Sequence, residues 1–369
     1  MPGSVKKVLF RVDSATMIGA GHVMRCLTLA EALRAEGADC RFICRDLPGA
    51  IQDKVRDARF DLTVLPAPAT DYSATTDDPA HAPWLGVSWQ DDLTQTKAVI
   101  DGPVDWLVVD HYGIDVRWHK GMRVHASRIA VIDELADRPL DCDVLVCQSL
   151  PHQMISAQFD QCLSENVVRN IGPDYALLRP EFVSVRDRAV ARRNLLAVPQ
   201  RVFVANGYMD AGGLVPLALK ALRDFTDLAV DVAIGSVSPV IAEVRALANA
   251  LPHVSLYEDA SDMAGLMAQA DLAIGGGGVS SFERATVGLP TLAVSVADNQ
   301  TDLLRFVAAH GAVSFLGTLD EVTTKVIRLA VQGMLDDPAH WQQMASDSLA
   351  LCDGQGAARV VETMQGLSV

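Results

Sequence analysis

A rhythm restricts this chain's fold more than any single motif. Short runs rich in Val, Ile and Leu alternate with stretches of helical periodicity almost from end to end. "KVLFRVD", "CRFIC", "LTVLP", "WLVVDH", "RIAVIDE" and "VLVCQ" read as strands of the first half; "RVFVAN", "VDVAIG", "VSLYE", "LAIGG" and "TLAVSV" read as strands of the second. These runs show little polar alternation, so both faces of each strand must be buried. Parallel sheets covered by helices on either side meet that demand. Between the runs, Val23, Cys26, Leu27, Ala30 and Leu33 fall at helical spacing. The class is therefore α/β and doubly wound. The rhythm breaks twice. Residues 66–105 are polar and proline-bearing, which predicts an irregular insertion over the first domain. Residues 172–200 carry prolines and a basic cluster before the strands resume at Arg201. That places a linker near residue 180, with one domain over 1–180, a second over 181–369 and a cleft between them. A length of 369 residues suits two cores rather than one.

Charge and composition remove several function classes. Lys+Arg 31 against Asp+Glu 46 gives a net charge of −15, a poor match for nucleic acid or an anionic membrane. No apolar run approaches the ~20 residues of a membrane helix, so no membrane insertion is expected. The opening "MPGSVKKVLFRVD" has no h-region or cleavage site, which points to a cytoplasmic protein. The seven cysteines (Cys26, Cys40, Cys44, Cys142, Cys147, Cys162 and Cys352) are odd in number, and several sit inside apolar runs. They read as reduced core residues. Cys40 and Cys44 lack CxxC spacing, so no zinc site is expected.

In doubly wound sheets, ligands bind where strands lead into helices. Two loops qualify. In the first, "RVDSATMIGAGHVMRCLTLAEAL", Gly19 and Gly21 are followed by His22, and Met24 stands where a dinucleotide fingerprint needs its third glycine. A nicotinamide or flavin is therefore not expected, and no cofactor is assigned. The second loop, "DLAIGGGGVSSFERATVGLP", passes from a strand through Gly275, Gly276, Gly277 and Gly278 into a helix. Its N–H groups, the hydroxyls of Ser280 and Ser281 and the helix macrodipole suit a diphosphate. Glu283 is placed to accept from ribose hydroxyls. A turn serving packing alone would use the same glycines. Beyond it, Asp298, Asn299 and Gln300 form a polar cluster able to read sugar hydroxyls, though a helix N-cap explains the same spacing.

These residues carry a resemblance. "GGGGVSSFERATVGLP" with the later "ADNQ" resembles the nucleotide-sugar loop of GT-B proteins related to the GlcNAc transferase that makes lipid II. "RVDSATMIGAGHVMRCLTLAEAL", "VVDHYGID", "VIDELADRPLDCDVLVCQ" and "GPDYALLRPEF" are similar, in matching order, to the UDP-2,4-diacetamido-2,4,6-trideoxy-β-L-altropyranose hydrolases of pseudaminic acid biosynthesis. The resemblance implies a GT-B-like fold of two Rossmann-like domains. It further implies a metal-independent hydrolase that frees UDP from a UDP-sugar substrate, serving surface glycans such as those on flagellin. The histidine of the "GxGHxxRC" motif, here His22, is the implied general base. Two stretches depart from the pattern: "FVANGYMDAGG" stands for a usual "FGGSDP", and Asp133-Glu134-Leu135 stands for "DDL".

The chemistry is coherent with the residues. A sugar linked through C1 to UDP already has a good leaving group. The Gly275–Ser281 loop can stabilise the diphosphate, and His22 at a helix N-terminus can activate water. The macrodipole there favours the neutral imidazole that a base requires. Asp13, Gly21 and Arg25 flank His22 and are expected at the sugar, as are Asn299 and Gln300. Asp110 and Tyr112 end another strand, with Tyr112 expected to contact sugar or water. His111 should point away and serve structure. Trp84 and Trp89 read as a lid or packing cluster. The alternatives are a GT-B glycosyltransferase using a UDP-amino-sugar donor, a non-catalytic binder of nucleotide sugars and a non-hydrolysing epimerase.

Overall fold

The structure, a computed structural model, describes residues 7–69, 72–149 and 151–367, and two parallel sheets carry it. The first sheet has strands β1 (Lys7–Val12), β2 (Asp39–Arg45), β3 (Asp61–Leu65), β4 (Val104–Asp110), β5 (Ala126–Ile132), β6 (Val144–Cys147) and β7 (Val168–Ile171). Their spatial order is β3-β2-β1-β4-β5-β6-β7. The second sheet has β8 (Arg201–Ala205), β9 (Ala229–Ile234), β10 (Val254–Glu258), β11 (Leu272–Gly276), β12 (Thr291–Ser295) and β13 (Val313–Thr318), in the order β10-β9-β8-β11-β12-β13. Each order reverses direction once, between β1 and β4 and between β8 and β11. That reversal is the topological switch point of a doubly wound sheet.

Both faces of each sheet's central strands are covered, as the unalternating apolar runs require; the edge strands β3 and β10 carry such runs but stay largely exposed. In β1, Phe10 points to the face packed by Leu27, Leu29 and Leu33. Its neighbour Leu9 points to the opposite face, with Trp118 and Phe159. In the second sheet, Val204 and Ile274 meet Leu219 and Ile327 on one face, while Phe203 and Ala273 meet Phe182 and Met267 on the other. Each fully buried Leu or Phe contributes roughly 1.5–3 kcal/mol relative to exposure. All seven cysteines are buried within these layers.

Four features differ from the sequence pattern. β7 and β13 have no counterpart among the apolar runs. Both are edge strands: β7 is only "VRNI", and β13 carries Ser314 and Gly317 with a register shift against β12. The region 66–105 is not wholly irregular. Its later part holds the helix Trp89–Ala98, N-capped by Ser88, whose Oγ accepts from Asp91 N at 3.1 Å. The chain divides at Leu177/Leu178, but the second unit ends at Gly354. The sequence pattern gives all of 181–369 to the second domain; the final helix, Gly356–Gly366, instead belongs to the first unit. Val360, Val361 and Met364 on that helix join the core formed by Val23 and Leu27. No helix among the described residues is long and apolar enough to cross a membrane.

Candidate active site

In the first unit, the switch point is occupied. β1 leads into a tight turn in which the amides of Ile18 and Gly19 both donate to Ala15 O. Gly19 takes a φ of +84° there, open to glycine at little cost. The turn delivers His22 into the first turn of the helix Gly21–Ala35, and a Cβ at Gly21 would meet nothing within 4 Å. His22, Arg25 and Cys26 share one face of this helix, and all three converge on Asp110 at the end of β4.

The geometry fixes the imidazole. His22 Nδ1 lies 2.6 Å from Asp110 Oδ1. Arg25 donates Nε to Oδ2 at 2.6 Å and Nη2 to Oδ1 at 2.7 Å. A carboxylate only accepts, so Nδ1 carries the proton and Nε2 is left as the basic nitrogen. Arg25 Nη2 is also 3.2 Å from Nδ1, but its two N–H groups have acceptors in Asp110 Oδ1 at 2.7 Å and the Tyr112 hydroxyl at 3.5 Å, so this is a close approach of two donors. Burial would raise the Asp110 carboxyl; Arg25 and His22 overcome this and hold it well below the ordinary carboxylate range. The carboxylate therefore stays charged beside the imidazole.

Other predicted residues sit differently. Asp13 is fully buried and does not open to a ligand: its Oδ1 accepts from Arg11 Nη1 and Arg45 N, both at 2.6 Å. Arg25 is 5% exposed and committed to Asp110 and, at 3.2 Å, to Glu134. It acts as a strut rather than an open sugar contact. Tyr112 meets His22 edge-on, ring centroids 4.7 Å apart, and donates its hydroxyl to Glu134 at 3.1 Å. His111 is buried, pushed down to about 4 by burial against the pull of Asp13. Trp84 lies 6.1 Å from His22 and 5.8 Å from Tyr112, with His81 at 4.6 Å from Trp84. Trp89 is elsewhere, under the Arg117 guanidinium. His81 is not suggested by any motif, and Glu134 stands in one, as the departure from "DDL", without a role being read for it. Glu134 follows β5, the neighbour of β4, so strand order alone sets it beside Tyr112.

In the second unit, the glycine loop follows β11 at the other switch point. Three of its glycines are explained from within the protein. A Cβ at Gly275 would stand 2.7 Å from Ala205 O, one at Gly276 2.3 Å from Asn206 Oδ1, and one at Gly277 2.9 Å from Gln300 Cβ. Only Gly278 of the four faces open space, with a φ of +91°. Gln300 braces the loop, its Oε1 accepting from Gly277 N at 3.1 Å and Val296 N at 3.3 Å. Its carbonyl is thus engaged internally rather than turned to a sugar. Glu283 lies 3.5 Å from Arg179, its carboxyl raised by burial against the pull of Arg179 and Arg284. Ser280 is half-buried and Ser281 buried. The side chain of Asn299 lies outside the described residues.

These two Rossmann-like units make the chain a GT-B-type fold. Acinetobacter baumannii MurG matches it with a TM-score of 0.66 and 16% identity, over 98% of this chain and 100% of that one. The Neisseria meningitidis UDP-GlcNAc 2-epimerase bound to UDP-GlcNAc matches at 0.62 and 12%, again over 98% and 100%. Identities this low establish the fold alone. No family model matches the chain. By sequence it is 30% identical over 199 residues to the spore coat polysaccharide biosynthesis protein SpsG of Bacillus subtilis, which is 53% of this chain and 58% of that one. It is 25% identical over 177 residues, 48% and 53%, to the Campylobacter jejuni UDP-2,4-diacetamido-2,4,6-trideoxy-β-L-altropyranose hydrolase. The chain spans about half the length of these curated relatives.

Proposed function

We propose that this chain is an enzyme acting on UDP-sugars, and specifically a metal-independent hydrolase of a UDP-linked 2,4-diacetamido-2,4,6-trideoxyhexose. It would act in the cytoplasm, in nonulosonic acid biosynthesis. The observation that carries the reading is the His22–Asp110 contact of 2.6 Å, which leaves Nε2 as a base. The Campylobacter jejuni relative named as such a hydrolase supports the substrate class.

In this reading the Gly276–Ser281 loop and Glu283 hold the UDP moiety, and His22 Nε2 accepts a proton from water. The water oxygen bonds to sugar C1 as the C1–O bond to the diphosphate breaks. UDP leaves with the electron pair, and the proton on His22 passes to solvent. Asp110 stabilises the imidazolium formed on the way. General-base assistance of this kind contributes roughly 10²–10⁴-fold. Tyr112 and Trp84 wall one side of the imidazole and limit where water can stand.

The competing reading is a glycosyltransferase with the same donor. Acceptor-free turnover separates the two. With EDTA present and no acceptor, the hydrolase releases UDP and free sugar in equal amounts, read by product NMR. Release that begins only when an acceptor alcohol is added would replace the hydrolase with a transferase.

A further inference from the structure

Beneath the glycine loop lies a cation that the proposed mechanism has not used. Arg284 is 2% exposed, yet among the described residues no carboxylate oxygen lies within 4.0 Å of it. Its sequence neighbour Glu283 is turned to Arg179. The guanidinium instead donates to the loop: Nη2 to Gly276 O at 2.7 Å and to Ser281 Oγ at 3.2 Å, and Nη1 to Ser280 Oγ at 3.3 Å. Its Nε has no hydrogen-bond partner among the described residues. Burying a charge without a direct ion pair is costly, so such a group is normally paired at contact distance. Burial lowers this guanidinium to about 10 against the pull of Glu283, whose carboxylate stays beyond ion-pair distance.

The hydroxyl chemistry gives the cation a direction. Each serine oxygen that accepts from Arg284 keeps one O–H to donate elsewhere. That hydrogen turns away from the guanidinium, because a cation repels it. Ser280 and Ser281 are thereby set as donors in the turn that starts at Gly278, whose carbonyl accepts from Ser281 N at 2.9 Å and whose own Cβ position is open. Gly275 fits the same plan: a Cβ there would stand 2.9 Å from Arg284 Nη1.

We propose that Arg284 is a positioning residue for a diphosphate, holding Ser280 and Ser281 as hydrogen-bond donors and supplying the loop's positive charge from below. Glu283 offsets that charge only at a distance, and among the described residues no direct ion pair takes it up. This rests on the loop being the nucleotide diphosphate site of the proposed function, but not on the nucleoside being uridine. The spacing Ser280-x3-Arg284 and Ser281-x2-Arg284 is one helical turn, and that is the sequence signal for it.

The test is calorimetric titration of the full chain with UDP, uridine and inorganic pyrophosphate. Arg284→Met should weaken UDP and pyrophosphate about tenfold, equivalent to ~1.4 kcal/mol, and leave uridine within about twofold. Arg284→Lys should fall between, keeping charge but losing the two-serine fork. Ser280→Ala/Ser281→Ala, which leaves the buried cation in place, should weaken the diphosphates similarly, so the assignment survives an unstable Arg284 variant. Adding Arg284→Met to that double variant should cost less than it does alone. Equal loss of uridine and diphosphates, or no loss of either, overturns the assignment. Wild-type protein that binds pyrophosphate but not UDP overturns the uridine reading, and Arg284 is then judged on pyrophosphate. Protein that binds neither overturns both.

Discussion

Replacing Asp110 with asparagine changes few atoms and reverses the logic of the base. The carboxylate accepts from His22 Nδ1 and twice from Arg25. An amide offers one oxygen and one NH2. If the NH2 takes the place of Oδ1, it donates to His22 Nδ1, the proton moves to Nε2, and the base is gone. If the oxygen stays there, the NH2 faces Arg25 Nε, donor against donor. Either orientation leaves the buried guanidinium short of an acceptor. Breaking a buried charge pair costs ~3–5 kcal/mol, and the remaining contact to Glu134 at 3.2 Å favours the lower end, about 3 kcal/mol. For a unit of this size that lowers Tm by roughly 6–12 °C. Loss of the correct tautomer should cut kcat by ~10²–10⁴, or about 3–5 kcal/mol of barrier. UDP affinity, assigned to the glycine loop, should be unchanged. The assays are UDP release, UDP titration and thermal unfolding on the same preparation. A variant that loses stability as expected but keeps more than about a tenth of kcat would refute the reasoning: Asp110 would then be only a strut for Arg25.

Other expectations concern the chemistry, the loop and the core. In ¹⁸O-labelled water the label should enter the free sugar at C1 and not the UDP; label in UDP would mean attack at phosphorus. Gly278→Ala must adopt a φ of +91°, a strain of order 1–3 kcal/mol, and should weaken UDP binding measurably by calorimetry; unchanged affinity would remove this residue from the site. His111 and His119 are buried, and burial pushes them down to about 4 and about 3. Between pH ~6.5 and ~4 the unfolded chain therefore binds protons that the folded chain refuses, so stability falls with falling pH, by about 1.4 kcal/mol per unit for each histidine. Urea midpoints at pH 7.5 and 5.0 should show this, and His119→Gln should flatten the slope; an equal slope in the variant would contradict it.

Much of the fold was legible because burial on both faces leaves an unmistakable mark. Every one of the unalternating runs, from "KVLFRVD" to "TLAVSV", lies on a strand. β7 and β13 were not legible because, unlike the edge strands β3 and β10, they carry no apolar run: Arg169 and Asn170 interrupt the one, Ser314 and Gly317 the other. The return of Gly356–Gly366 to the first unit depends on a contact across the whole chain, with Val23 and Leu27, and no local pattern announces it. At the site, the turn carrying His22 was readable from its glycines, and Asp110 from its place at a strand end. The roles of Asp13, Arg25 and Gln300 were not. Proximity to the loop in sequence said nothing about whether their polar atoms were already engaged by Arg45, Asp110 and Gly277. Four consecutive glycines suggested backbone opened to a ligand, yet three of them make room for Ala205, Asn206 and Gln300. Arg284 was hidden for a related reason: an arginine on a short helix reads as surface until the serines one turn before it are seen to need a donor.

The central claim is that His22 is the base and not a structural histidine. The measurement that bears on it most directly is a paired one on His22→Asn: UDP affinity by calorimetry and turnover of the UDP-diacetamido-trideoxyhexose by product NMR, without acceptor. The account predicts wild-type UDP binding with turnover reduced by ~10²–10⁴. A variant that still hydrolyses the UDP-sugar at close to the wild-type rate would contradict it.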